Sequence, residues 1–141
     1  MVRRTAVKRI LVGDDETRIR LLYEETLAGE GYEVVLAKDG REVYQKFISE
    51  KPDLVILDIK MPGMHGIEVL QRLREVDKRV PVIISTAYQK MENDAVISTS
   101  DVAAFITKPV DLDHLCAEVK RILEEKEEQT VGEPQKDIIS N

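Results

Sequence analysis

Cysteine is nearly absent from this 141-residue chain, which contains Cys116 and no other. A lone cysteine cannot form a disulfide within the chain, so a reducing compartment fits best. Apolar runs are also short, and none approaches the ~18 residues that are needed to span a bilayer. The first nine residues are basic and lack the apolar core of a secretory signal. We therefore expect a cytoplasmic protein that does not insert into membranes.

An excess of positive charge is lacking too, because 27 acidic residues outnumber 21 lysines and arginines and leave a net charge of −6. This balance argues against a surface that binds DNA or an anionic membrane. Hydrophobic residues make up 43% of the chain and charged residues 34%, as in an ordinary globular protein. The length fits one domain whose core needs no disulfide or metal.

Five short apolar runs alternate with segments whose apolar residues recur at helical spacing. We predict strands at residues 8–13, 33–37, 54–57, 81–85 and 104–107. Helices are predicted at 17–29, around 43–48, at 66–76, at 91–99, and up to 123 from Asp111, which can cap the last one. The inward faces predicted for the first three helices are Ile19, Leu22, Tyr23, Thr26 and Leu27; Val43, Tyr44, Phe47 and Ile48; and Ile67, Leu70, Leu73 and Val76.

This alternation predicts an α/β fold in which right-handed βαβ units build one five-stranded parallel sheet with helices on both faces. Continuous apolar runs mark the first, third and fourth strands as interior, and the second is a candidate edge. We therefore expect the doubly wound, flavodoxin-like (βα)5 order 2-1-3-4-5, with strands one and three adjacent at the switch point. Residues 1–124 would form this domain, and 125–141 an acidic, flexible C-terminal tail.

Three carboxylates converge at the switch point. Asp14 and Asp15 follow the first strand, Asp58 follows the third, and the carboxyl ends of parallel strands share one edge of the sheet. Carboxylates this close repel one another, and the usual relief is a bound cation or a raised pKa. A few hard oxygen ligands suit Mg²⁺, which also binds phosphate.

Two further groups arrive at the same edge. Thr86 ends the fourth strand and supplies a hydroxyl, while Lys108 ends the fifth and supplies an ammonium group. Alone, Asp14 and Asp15 would indicate a helix start, Thr86 a cap and Lys108 a solvated surface. Together with Mg²⁺ they provide what a transferring phosphoryl group needs, and Asp58 can serve as its covalent acceptor.

Over about residues 8–124 the chain resembles a two-component response-regulator receiver domain. The matching pieces are Asp14-Asp15, Leu57-Asp58-Ile59-Lys60-Met61-Pro62-Gly63, Thr86-Ala87, Phe105 and Lys108-Pro109. The resemblance implies that Asp58 accepts a phosphoryl group from a phosphohistidine on a sensor histidine kinase or a histidine phosphotransferase. It also implies a cis bond between Lys108 and Pro109, the type of peptide bond in which cis is least costly.

The resemblance assigns the remaining roles at the site. It implies Mg²⁺ held by Asp15, Asp58 and the backbone carbonyl of Lys60, with Asp14 assisting through water. Thr86 and Lys108 would contact the phosphoryl oxygens, and Phe105 would turn inward as Thr86 moves. Lys60 and Tyr88 would tune the lifetime of the phosphorylated form, and this pair is similar to that in stand-alone relay receivers of the sporulation type.

We therefore expect a stand-alone receiver, acting as a phosphorelay intermediate or a diffusible regulator. It would catalyse only its own phosphorylation and dephosphorylation, and would not be an enzyme with an external substrate. The acidic tail is too short for a DNA-binding fold, so the output would be contact with a downstream protein or a phosphorylation-dependent dimer.

Three alternatives are open on the sequence alone. One is a degenerate receiver that works as a constitutive binding module, against which the intact acidic triad, Thr86 and Lys108 argue. Another is an aspartyl-phosphate hydrolase, but such enzymes usually carry a second Asp where this chain has Lys60. A flavin binder shares the topology, although three carboxylates would repel the phosphate of its cofactor.

Overall fold

The computed structural model describes residues 6–87 and 102–140, with side chains up to residue 127. Its elements in chain order are β1 (Arg9–Gly13), α1 (Thr17–Gly29), β2 (Glu33–Ala37), α2 (Gly40–Glu50), β3 (Leu54–Leu57), α3 (Gly66–Val76), β4 (Val82–Thr86), β5 (Ala104–Thr107) and α4 (Leu112–Ser140). The helix predicted at 91–99 and the tuning residue Tyr88 lie outside the described residues.

The strands form one parallel sheet in the order β2-β1-β3-β4-β5, which confirms the predicted fold class. The interior strands are the apolar ones, since every residue of β3 and β4 is buried. In the pairing of β1 with β3, Gly13 lies opposite Leu57, so both strands end at the same level. The residues that follow them, Asp14 and Asp58, therefore start adjacent loops.

Helices cover both faces of the sheet, as predicted, and each face has its own core. On one face α2 and α3 pack on the sheet, and on the other face α1 and α4 do so. Successive strand residues alternate between these cores, since Leu11 belongs to the first and both Ile10 and Val12 to the second. The helical residues of the first core are Val43, Phe47, Val69, Leu70 and Leu73, and those of the second are Tyr23, Leu27, Leu115, Val119, Ile122 and Leu123.

Three residues predicted to face inward are exposed instead: Leu22, Ile48 and Val76. The buried stripes of α1 and α2 are narrower than predicted, because a residue next to the stripe is turned away from it by about 100°. Val76 is the last residue of α3, beyond the part of that helix which packs on the sheet. Val69, which was not predicted, is buried on α3.

The last helix begins as predicted and ends later. The Asp111 side chain accepts hydrogen bonds from the backbone N–H groups of Asp113 and His114, at 3.0 and 3.2 Å, and so caps α4. The helix then runs to Ser140, whereas the sequence predicted its end near residue 124. The glutamate, lysine and glutamine residues at 124–129 are good helix formers and favour continuation past residue 124, whereas Gly132 and Pro134 are poor ones, so propensity does not account for the course to Ser140. The division of the chain at residue 124 stays a prediction.

No helix within residues 6–87 and 102–140 combines the length and the apolar character that crossing a membrane requires.

Candidate functional site

Backbone hydrogen bonds fix the two carboxylates that lie deepest in the site. The N–H of Asp58 donates to the carbonyl of Gly13 at 2.9 Å, and the N–H of Asp14 donates to the carbonyl of Ala37 at 3.1 Å. Asp14 is 1% exposed and Asp58 5%. Two acidic side chains are thus held in nearly complete burial at the carboxyl edge of the sheet, where an open α/β fold binds its ligands.

A third carboxylate completes an acidic cluster. One oxygen from each of Asp14, Asp15 and Asp58 lies within 4.8 Å of the other two. Asp14 Oδ1 accepts a hydrogen bond from the N–H of Glu16 at 2.9 Å, and Asp58 Oδ1 accepts one from the N–H of Lys60 at 3.1 Å. Asp15 is exposed to solvent. An all-oxygen donor set with one open side fits a hard divalent cation that keeps part of its water.

Lys108 provides the positive charge of the site. Its Nζ donates to Asp14 Oδ2 at 2.6 Å and to Asp58 Oδ2 at 3.2 Å, and lies 3.7 Å from the Glu16 carboxylate. The backbone N–H of Lys108 donates to the carbonyl of Thr86 at 3.0 Å, which ties the end of β5 to the end of β4. The bond between Lys108 and Pro109 is cis, which confirms the prediction.

Burial and charge shift the pKa values of this cluster. Burial raises the pKa of Asp58, and the opposing effects of the Lys60 N–H and of the Lys108 charge are smaller. For Lys108, burial lowers the pKa, but the hydrogen bond and charge of Asp14, together with Asp58, outweigh it and raise the pKa overall. Lys108 therefore stays an ammonium ion at neutral pH, and its one positive charge offsets part of the negative charge of the carboxylates around it.

The cluster opens into a cleft of about 410 Å³, lined by Asp15, Glu16, Asp58, Lys60, Thr86, Ala87 and Lys108. Thr86 is buried at its wall, while Lys60 is exposed at its rim. Asp14 is too deeply buried to line the cleft. Phe105 on β5 pairs with Ile84 on β4, and its side chain is half-buried against the core formed with α2 and α3. The structure thus brings together five predicted site residues in the cleft, with Asp14 behind them.

Sequence reasoning missed several supporting contacts. The Arg20 guanidinium donates to the backbone carbonyl of Asp14 at 2.8 Å and so holds the acidic loop from α1. The Tyr23 hydroxyl and Ser85 Oγ lie 2.7 Å apart, and both side chains are buried. A serine directly after three aliphatic residues of β4 was the available signal for the second contact. Glu16, which follows the acidic pair directly, was the signal for a further charge near Lys108.

Gly13 makes room for α2 beneath the acidic loop. A Cβ atom built on Gly13 would overlap the Val43 side chain. The Val43 side chain occupies the space next to Gly13. The close fit lets α2 pack against β1 directly below Asp14.

The sequence matches the family described as response regulator receiver domain over residues 10–120, and the chain belongs to that family. Receiver domains are phosphoacceptor signalling domains of two-component systems, and they bind Mg²⁺ at an acidic pocket. The family assignment favours the receiver over the hydrolase and flavin-binding alternatives.

Two relatives differ in how much of them the chain covers. Sporulation initiation phosphotransferase F of Bacillus subtilis is 38% identical over 118 residues, which are 82% of this chain and 94% of that protein. Regulatory protein AtoC of Escherichia coli is also 38% identical, over 120 residues, but these are 85% of this chain and only 26% of that protein. The chain therefore spans one relative almost fully and about a quarter of the other.

Solved structures show the same fold. A CheY-like response regulator receiver domain protein from Methanospirillum hungatei superposes with a TM-score of 0.84 at 34% identity, covering 88% of this chain and 99% of that one. The response regulator protein TrrA from Thermotoga maritima, solved in complex with Mg²⁺ and BeF, gives a TM-score of 0.76 at 43% identity and covers 82% and 98%.

Proposed function

We propose that this chain is a stand-alone receiver whose Asp58 accepts a phosphoryl group from a phosphohistidine of a sensor histidine kinase or a histidine phosphotransferase. One observation carries the proposal: a single ammonium group, on Lys108, bridges the buried Asp14 and Asp58 at the cleft. The near-complete coverage of Sporulation initiation phosphotransferase F supports the stand-alone form.

In the transfer step, one Oδ of Asp58 attacks the phosphorus atom in line with the phosphorus–nitrogen bond. That bond breaks, and its electron pair returns to the imidazole nitrogen of the donor. The other ring nitrogen keeps its proton, so the released imidazole of the donor is neutral. The product is a mixed anhydride on Asp58, in which a carboxylate charge has been replaced by a phosphoryl group of higher charge.

The residues around Asp58 are suited to that change of charge. The Lys108 ammonium, which contacts Asp14 and Asp58 in this structure, would donate to one phosphoryl oxygen. The Thr86 hydroxyl would donate to another. Asp14, Asp15, Asp58 and the carbonyl of Lys60 would hold Mg²⁺. When bound, the ion would supply positive charge that offsets the carboxylates and the incoming phosphoryl group.

The signal would leave the site through Thr86 and Phe105. Thr86 moving toward the phosphoryl group would let Phe105 turn inward, which favours a second arrangement of the β4–β5 edge. Lys60 at the rim, and Tyr88 outside the described residues, would set the lifetime of the phosphorylated form. The output is a changed contact with a downstream protein, or a phosphorylation-dependent dimer.

Acetyl phosphate tests the proposal without a protein donor. With Mg²⁺, the parent chain should gain the mass of one phosphoryl group, and Asp58→Asn should gain none. Asp53→Asn is the matched control, because Asp53 precedes the same strand, β3, and accepts a hydrogen bond from the N–H of Arg9 at the opposite edge. A folded parent chain without the added mass would contradict the proposal and favour a constitutive binding module.

A further inference from the structure

A buried hydrogen bond joins α1 to the end of β4 beside the site. The Tyr23 hydroxyl and Ser85 Oγ lie 2.7 Å apart, and the two side chains are 0% and 1% exposed. Ser85 is followed by Thr86, the last residue of β4. The contact therefore restrains the strand one residue before the hydroxyl that lines the cleft.

The restraint acts through the strand. Ile83 packs in the core formed with α1 and α4, and Ile84 packs in the core formed with α2 and α3. Because side chains alternate along a strand, Ser85 is on the face of α1 and Thr86 on the other. Tyr23 thus lies on the opposite face of the sheet from the Thr86 side chain, but holding Ser85 restrains the direction in which the next residue leaves the sheet.

The same helix also holds the acidic loop. Arg20, three residues before Tyr23, donates from its guanidinium to the carbonyl of Asp14 at 2.8 Å. One turn of α1 thus contacts both the loop after β1 and the end of β4. Since a helix turn is stiff, the two contacts together set the spacing between the carboxylates and Thr86.

We propose that Tyr23, acting through Ser85, is a positioning residue that sets where the Thr86 hydroxyl meets a phosphoryl group on Asp58. This inference rests on the proposed function. Loss of the hydrogen bond would leave β4 paired with β5, where Thr86 lies opposite Thr107. It would remove only the restraint from α1, so the Thr86 hydroxyl would be held less well and Mg²⁺ binding would be unaffected.

A double variant separates positioning from stability. Tyr23→Phe alone leaves the Ser85 hydroxyl buried without this partner, and Ser85→Ala alone does the same to Tyr23, so both singles lose stability. Combining the two removes both polar groups, and the stability should largely return. If the hydrogen bond serves stability alone, binding at the site should return together with the stability. If the bond positions Thr86, binding should stay weaker even in the stable double variant.

The probe is beryllofluoride, which mimics the phosphoryl group on a carboxylate. Its Kd in saturating Mg²⁺ and the Kd of Mg²⁺ alone are measured by calorimetry, alongside urea unfolding. Tyr32→Phe is the matched control, because Tyr32 is only partly buried at the edge of the α1/α4 core, where it lines a different pocket. The Tyr32→Phe variant loses the same kind of hydroxyl at a position that does not line the cleft at Asp58.

We expect both singles and the double variant to bind beryllofluoride about fivefold more weakly than the parent, the equivalent of one net hydrogen bond. Their Mg²⁺ affinity, and both affinities of Tyr32→Phe, should match the parent. A double variant that regains parental affinity together with stability would overturn the inference alone. A folded parent that binds no beryllofluoride would overturn the proposed function, and this inference with it.

Discussion

A basic side chain contacts carboxylates at each edge of the sheet, and the two clusters differ in burial. At the carboxyl edge, Lys108 is 14% exposed and pairs with Asp14 and Asp58, which are both buried. At the amino edge, Arg9 is 34% exposed and pairs with Glu33 and Glu50, whose side chains are 51% and 41% exposed. The same kinds of charge therefore have different energetic consequences at the two edges.

Partly exposed ion pairs of the amino-edge kind contribute little and cost little, because water still reaches the charges of both partners. The carboxyl-edge carboxylates have lost most of that solvation, and one ammonium serves both. Burial on this scale lowers stability unless something else is gained. Strained electrostatics of this kind are typical of functional sites, and the comparison teaches that burial distinguishes the two clusters better than charge does.

The largest expected effect comes from removing the buried cation. Lys108→Met leaves two buried carboxylates without their partner, so the free energy of unfolding should fall by about 3 kcal/mol. The rate of phosphorylation by acetyl phosphate should fall about a hundredfold, because a charge that stabilises the phosphoryl oxygens is gone. Urea unfolding and intact-mass kinetics measure the two effects.

Lys46→Met is the control for that variant, since Lys46 donates to the carbonyl of Leu36 from α2 and not to the site. It should keep the parental rate. A Lys108→Met chain that is phosphorylated as fast as the parent would remove Lys108 from the proposed machinery.

The amino-edge cation should matter for stability alone. The Arg9 guanidinium donates to the carbonyl of Glu50 at 2.6 Å and to the Glu33 carboxylate at 3.1 Å. Arg9→Met loses both bonds, and we expect the free energy of unfolding to fall by about 2 kcal/mol, mostly through the part-buried bond to the Glu50 carbonyl, because the exposed ion pair contributes little. The rate of phosphorylation should be unchanged. A tenfold slower rate in a folded Arg9→Met chain would show that the two edges are not independent.

Mg²⁺ should stabilise the folded chain through the carboxyl edge. A ligand at ten times its Kd adds about 1.4 kcal/mol to the free energy of unfolding. Asp15→Asn removes the exposed carboxylate of the cluster and should abolish most of this gain, whereas Asp53→Asn at the amino edge should keep it. Equal responses of the two variants to added Mg²⁺ would place the ion elsewhere.

The smallest effect is a gain in stability. The pKa of Asp58 is raised above its ordinary value of 3.8, so the folded chain holds this proton more tightly than the unfolded chain does. The ionised group therefore costs stability as pH rises through the raised pKa. At pH 7 without Mg²⁺, the free energy of unfolding of Asp58→Asn should exceed that of the parent by about 1 kcal/mol. That gain should shrink in urea titrations at lower pH, and a gain constant with pH would contradict the assignment.

The sequence predicted the order of the strands because that order follows from local patterns and a handedness rule. Apolar runs marked the interior strands, and the position of Asp58 after one of them indicated the ligand-binding edge. Which apolar residues of a helix are buried was less predictable. Leu22 and Ile48 fit the helical period, yet whether such a flanking residue is buried depends on how each helix is rotated against the sheet.

The acidic cluster was predicted because Asp14 and Asp58 directly follow two neighbouring strands and Asp15 comes one residue after Asp14. The Tyr23–Ser85 bond was not, because it joins residues 62 positions apart and depends on side-chain packing. Tyr23 fits an apolar stripe equally well without a partner for its hydroxyl. The Lys108 contacts with Asp14 and Asp58 depend likewise on three-dimensional placement, since the resemblance implied only contacts to the phosphoryl oxygens.

Locating the phosphoryl group tests the central claim most directly. Sodium borohydride reduces an aspartyl phosphate to homoserine, and peptide mass spectrometry then identifies the residue. After treatment with acetyl phosphate and Mg²⁺, we expect homoserine at position 58 and unchanged aspartates at 14 and 15. Homoserine at position 14 or 15, or at none of the three in a chain that gained the phosphoryl mass, would contradict the account.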